Sequence, residues 1–127
     1  MSVSAADQGT LIVGQIAAVT FARYLSQAAR HSIQIGTPED RTVVGAISVD
    51  QAVLTSTQAD FRGIVVDIGT SIGSFAFAQT LVTGTDLSAV GVQIRSAAVT
   101  TIRASSCAYA GIGTPSEIVQ PPPLVGL

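Results

Sequence analysis

The chain has 127 residues, six Arg, no Lys and eight carboxylates, which is one domain's length at a net charge of −2. Charged residues make up 11% of it and apolar residues 47%, where an ordinary soluble domain carries about a quarter charged. This excludes the basic patch of a nucleic-acid binder, leaves too few aromatic rings (four Phe, two Tyr, no Trp) for base stacking, and offers no apolar run near the ~20 residues of a membrane span.

In chain order, residues 1–10 are small and polar and read as a flexible N-terminal arm, with no basic stretch of a signal peptide. Residues 17–30 fit two readings. Ala18, Phe21, Leu25 and Ala28 fall at helical spacing; alternatively Val19, Phe21 and Leu25 share one face of a strand with Tyr24 on the other. A short helix also fits within residues 49–59. The stretches HSIQI (31–35), TVVGAISV (42–49) and SFAFAQTLV (74–82) are strand-like. So is the segment in which Ile64, Val66 and Ile68 face one way and Val65 and Asp67 the other. Val90, Val92 and Ile94 oppose Gly91, Gln93 and Arg95 in the same manner. Turn signals at Gly36, Gly45, Gly63, Gly69, Gly73, Gly84, Asp86 and Gly91 space these strands as in a sandwich or barrel. The final QPPPLVGL (120–127) bars helix and central strand and favours an extended tail. The expectation is a mainly all-β domain over residues 11–119, a compact β-sandwich or small β-barrel with one short helix, between the arm (1–10) and the Pro-rich tail (120–127). An echo between Val44-Gly45-Ala46-Ile47 and Ala110-Gly111-Ile112-Gly113 is too slight to carry a repeat architecture.

Little here points to chemistry. Cys107 is the only cysteine, so an intrachain disulfide is impossible; among small neighbours it reads as a buried, inert thiol. His31 is the only histidine and reads as a surface or turn-adjacent residue. No Ser lies in a nucleophile-elbow pattern. Gly69-Thr70-Ser71-Ile72-Gly73 follows a strand, but Ser74 and Phe75 stand where a phosphate loop needs Lys, so it reads as a tight β-connection. Glu39, Asp40, Asp60 and Asp86 sit at turns. Asp67 interrupts an apolar run: it is either an outward residue of an alternating strand or half of a salt bridge to Arg62 or Arg95 of a neighbouring subunit. No catalytic, cofactor or metal site is expected, and the chain reads as a non-enzyme.

The order of five fragments carries a resemblance. These are Thr20-Phe21-Ala22-Arg23-Tyr24-Leu25, Val43 to Asp50 (VVGAISVD), Phe61 to Gly69 (FRGIVVDIG), Leu81 to Asp86 (LVTGTD) and Ala110-Gly111-Ile112-Gly113. Together they resemble the capsid decoration (cement, head-stabilising) proteins of tailed bacteriophages, over about residues 20–119 and through pattern rather than an invariant motif. The sequence departs from that pattern after Thr85. The resemblance implies a compact β-fold, a homotrimer, the major capsid protein as partner, and a place on the virion surface after synthesis in the host cytoplasm. It implies neither a cofactor, nor a nucleic acid, nor a membrane. Candidate partner-binding residues are Ser2, Val3, Asp7 and Thr10 in the arm, Arg62, Asp67 and Arg95 on the body, and Pro121, Pro122, Pro123, Leu124 and Leu127 in the tail. The competing readings are another self-assembling phage shell, tube or tail protein, a small oligomeric enzyme with an intersubunit site, and a ligand-binding β-barrel.

Overall fold

A computed structural model describes residues 2–4, 8–27, 30–39, 41–85, 88–96, 98–118 and 124–125. Among them there is no helix, and the strands are neither a sandwich nor a barrel: every pairing between strands is parallel. The chain winds as a β-solenoid. Its middle turns are β4 (Leu25–Gln27), β5 (His31–Ile35) and β6 (Thr42–Asp50); β7 (Val53–Thr55), β8 (Arg62–Val66) and β9 (Thr70–Ala78); β10 (Leu81–Thr83), β11 (Val90–Ile94) and β12 (Ala98–Ser105). Before them come β1 (Ser2–Ser4), β2 (Gln8–Ile12) and β3 (Gln15–Ala22), and after them β13 (Ala108–Ala110), β14 (Thr114–Ile118) and β15 (Leu124–Val125). Each third strand joins the same sheet, giving sheet A (β1-β4-β7-β10-β13), sheet B (β2-β5-β8-β11-β14) and sheet C (β3-β6-β9-β12-β15).

The sandwich expectation fails because it treats neighbours in sequence as neighbours in a sheet. Here the register pairs Gln15 with Val43, Val43 with Ser71 and Ser71 with Ala98, a turn of 28, 28 and 27 residues. Each turn cannot close a core alone and is stable only when stacked. The segments open to a helical reading are strands β3, β4 and β7. Near the N-terminus β1 pairs with β4 and β2 with β5. At the other end, Leu124 pairs with Ile102 in sheet C.

The core is a set of columns, one residue from each turn. In sheet C they are Ile16, Val44, Ile72, Val99; Val19, Ile47, Phe75, Ile102; and Phe21, Val49, Phe77, Ala104. Ile12, Ile35, Val66 and Ile94 form one in sheet B. Simple alternation would place every second residue inward, but Val44 and Ile47 are three apart. Gly45 and Ala46 both face outward between them, and the strand bends there as at a β-bulge. Glycine makes the bend possible: a Cβ at Gly45 would stand 2.5 Å from the Ala17 carbonyl oxygen, and one at Gly73 2.5 Å from that of Gly45. Two further strand readings are corrected. The 74–82 segment is cut by a corner at Gln79, which has φ 50°, and Gly69 to Gly73 runs into β9 instead of forming a connection. Ile68 lies beyond β8 and is 60% exposed, so it leaves the face shared by Ile64 and Val66.

The corner from sheet C to sheet A recurs as one residue in the left-handed region: Arg23, Gln51, Gln79 and Ser106, φ 50–57°. Backbone bonds tie it from turn to turn, Arg23 N–H to Asp50 O (3.0 Å), Gln51 N–H to Ala78 O (3.2 Å) and Gln79 N–H to Ser105 O (3.0 Å). A buried residue follows at each: Tyr24, Ala52 and Thr80, and then the half-buried Cys107.

Candidate functional site

The outer sides of sheets B and C differ in what they leave open. On sheet B, Gln34, Val65 and Gln93 stand in one column between the inward-facing columns, yet all three are buried. Beside them Asp67, 4% exposed, follows β8. Its Oδ1 accepts from Ile68 N–H at 2.8 Å and lies 3.7 Å from Arg95 Nη1. Its Oδ2 accepts from Gln34 Nε2 at 3.4 Å, and the same amide nitrogen donates to Gly36 O at 3.2 Å. Gln34 therefore turns Oε1 to His31 Nδ1, 3.0 Å away. An amide oxygen only accepts, so Nδ1 carries the hydrogen of this bond.

These bonds fix where the predicted site residues go. The structure brings Asp67 and Arg95 together within one chain. Arg62 points elsewhere: its Nη1 donates to Phe61 O (3.1 Å) and Ser88 O (3.2 Å). The Thr10 hydroxyl is hydrogen-bonded to that of Tyr24 at 2.7 Å. Ser2 and Val3 lie in β1 and Leu124 in β15. Asp7, Pro121, Pro122, Pro123 and Leu127 lie outside the described residues. Cys107 is half-buried, with Sγ 3.4 Å from Ser105 O and 3.7 Å from Phe77 O. Among the described residues no three His, Cys, Asp or Glu side chains are grouped to hold a metal ion.

Tyr109 is set in the column of Leu54 and Val82 on sheet A. Its hydroxyl is enclosed without a hydrogen-bond partner. Burial, with a smaller contribution from the charge of Cys107, pushes the phenol up to about 12.

Sheet C is open. Past the bend, its outward positions form three columns: Ala18, Ala46, Ser74, Thr101; Thr20, Ser48, Ala76, Arg103; and Ala22, Asp50, Ala78, Ser105. All are exposed or half-exposed. Ten are Ala, Ser or Thr, so the backbone itself comes close to the surface. Asp50 and Arg103 are the charges, and neither makes a side-chain hydrogen bond or ion pair among the described residues. The aromatic rings that could grip a sugar or base are elsewhere: Phe21, Tyr24, Phe61, Phe75 and Phe77 are all buried.

At the corner between sheets B and C an open groove of about 620 Å³ is lined by Pro38, Glu39, Arg41, Gly69, Thr70, Ser71, Ser96 and Ala98. A second, of about 340 Å³, shares Ser71 and Ala98 and runs over Gly45 and Gly73. The strands wind as a parallel solenoid and close no barrel, which removes the basis of the ligand-binding barrel.

Sequence reasoning missed the open side of sheet C, because it depends on which residues stack across turns. The signal was there at a spacing of 28: Val44-Gly45-Ala46-Ile47-Ser48-Val49-Asp50-Gln51 against Ile72-Gly73-Ser74-Phe75-Ala76-Phe77-Ala78-Gln79. No family model matches the chain, and neither a curated protein nor a solved structure matches it.

Proposed function

We propose that the protein is a non-catalytic structural component of a regular assembly, a rigid solenoid that binds copies of itself and a larger protein surface. The observation that carries this reading is the outer side of sheet C. It is a flat array of small side chains, exposed and nearly uncharged, which costs little desolvation to cover and lets another backbone approach closely. The low charge of the whole chain fits the same use, because it gives little repulsion between copies.

The setting proposed for it is a phage virion, with the major capsid protein as partner and a trimer as the unit. The resemblance to decoration proteins supports that setting through the order of its fragments. It does not do so through fold, since a solenoid replaces the compact β-body. Two experiments test the reading. Native mass spectrometry and sedimentation over 1–500 µM should detect oligomers; a strict monomer throughout would overturn self-association. Virions purified from an infected culture should carry the chain on the outer shell; its absence from them would overturn the capsid setting.

A further inference from the structure

We infer that the open array on sheet C is a homotypic contact: it meets the same array of a second copy across a two-fold axis, with Asp50 of each copy against Arg103 of the other. This rests on the proposal of self-association and names the surface that joins copies of neighbouring trimers, since a two-fold contact does not close a trimer. The array carries one charge of each sign. β6 and β12 are two rungs apart, and the two residues are two positions apart along the strands; at ~4.8 Å per rung and ~3.3 Å per residue their Cα atoms stand about 12 Å apart. No ion pair joins them within the chain.

A patch with one acid and one base, separated and unpaired, complements itself and no patch of a single sign. An axis lying in the interface through the midpoint between the two brings both charges to their opposites at once, the isologous pattern of a C2 contact. Ala76 and Ala78 of β9 flank that axis. By the same spacings the two solenoids cross at roughly 70°, near the orthogonal mode of sheet on sheet.

The area sets the strength. Five residues across four strands cover about 300 Å² per copy. The pair buries about 600 Å², below the ~1,000 Å² of a contact that stands alone. The contact is therefore weak singly and effective by repetition, as an assembly requires.

Cross-linking reads such a contact directly. In a Cys107→Ser background, Ala76→Cys should oxidise to a covalent dimer at least ten times faster than Val53→Cys, an exposed position on sheet A. With Ala76→Cys present, Asp50→Arg and Arg103→Asp should each slow the dimer several-fold. The double exchange should restore it, and so should an equimolar mixture of the two single variants. Equal rates for Ala76→Cys and Val53→Cys, or no rescue by the mixture, would overturn this interface. If native chains associate while those rates stay equal, the interface is wrong and the functional proposal stands; if native chains never associate, both fail.

Discussion

The outer sides of sheets B and C are built on the same winding, three strands to a turn, and yet they finish differently. Sheet B closes on itself: Asp67 accepts from Ile68 and Gln34 and pairs with Arg95, while Gln34, Val65 and Gln93 are buried although they point away from the core. Sheet C ends in Ala, Ser and Thr, with Asp50 and Arg103 both exposed. A charge used within the chain holds a fold together, and a charge left without a partner is available to another molecule. The sharper site is thus the side with the plainer residues.

The corner on the closed side should be the most sensitive position. Gly36 has φ 79°, and an added Cβ would land on Thr70 Oγ1, whose hydroxyl donates to Ile35 O. The left-handed backbone costs a side chain about 1–2 kcal/mol and the overlap about 1–3 kcal/mol more. Gly36→Ala should therefore lose about 3 kcal/mol or more in urea unfolding. Adding Thr70→Ala should recover the overlap and leave the backbone cost, a non-additive pair. A loss under 1 kcal/mol would mean that this corner yields easily and that sheet B is not the rigid side.

Next comes the contrast itself. Asp67→Ala removes charge-assisted hydrogen bonds at a buried site, which are worth about 1.5–3 kcal/mol. The ion pair to the half-exposed Arg95 adds little beyond them. The expected loss is about 2–3 kcal/mol. Asp50→Ala and Arg103→Ala, on the open side, should each stay within about 0.5 kcal/mol of the parent. Equal costs at Asp67 and Asp50, measured by the same denaturant midpoint, would erase the distinction between the two sides.

Much of sheet C was legible in the sequence as strands, and its role was not. The alternation of Ile47 and Val49 with Ser48 and Asp50 shows a strand from local pattern alone, because inward and outward residues differ in polarity within a few positions. Whether that strand pairs with its neighbour or with a segment 28 residues on is not local. Both choices satisfy the same alternation. The bend at Gly45 added a further obstacle by shifting the phase, so that Val44 and Ile47 both point inward. The echo between Val44-Gly45-Ala46-Ile47 and Ala110-Gly111-Ile112-Gly113 matched letters at places that are not equivalent: the first lies mid-strand in sheet C, and the second starts on the last residue of β13 and runs on past the strand. Asp67 stood out in the sequence for interrupting an apolar run. Its partner is intramolecular because the turn brings Arg95 one rung away, which no spacing along the strand could reveal.

Enclosure can also be tested by pH at Tyr109, where the phenol is raised from 10.0 to about 12 by burial and then by the charge of Cys107. A group raised in the folded state stabilises fully below its unfolded value, and that stability is lost as pH climbs from about 10 towards 12. Tyr109→Phe has no proton to lose. It also removes an enclosed hydroxyl without a partner, so at pH 8 it should match the parent or exceed it by up to about 1 kcal/mol. Between pH 10 and 12 the gap should widen in favour of Phe. A constant gap in denaturant midpoint across that range would show that the hydroxyl reaches water.

The smallest effect is expected at the far edge of the open side. Gln79 is exposed, sits at φ 50°, and holds its corner through backbone bonds, its N–H to Ser105 O on the next turn. If the side chain contributes nothing there, glycine should relieve the left-handed strain of about 1–2 kcal/mol. The greater freedom of glycine in the unfolded chain takes back about 0.5–1 kcal/mol. Gln79→Gly should then gain about 0.5 kcal/mol. Ala78→Gly, one residue earlier in the extended strand, has no strain to relieve and should lose about 1 kcal/mol. A Gln79→Gly variant that loses stability as Ala78→Gly does would mean the corner is held by side chains after all. Sheet C would then have used part of its edge internally, and the surface left for a second copy would be confined to the columns around Ala76.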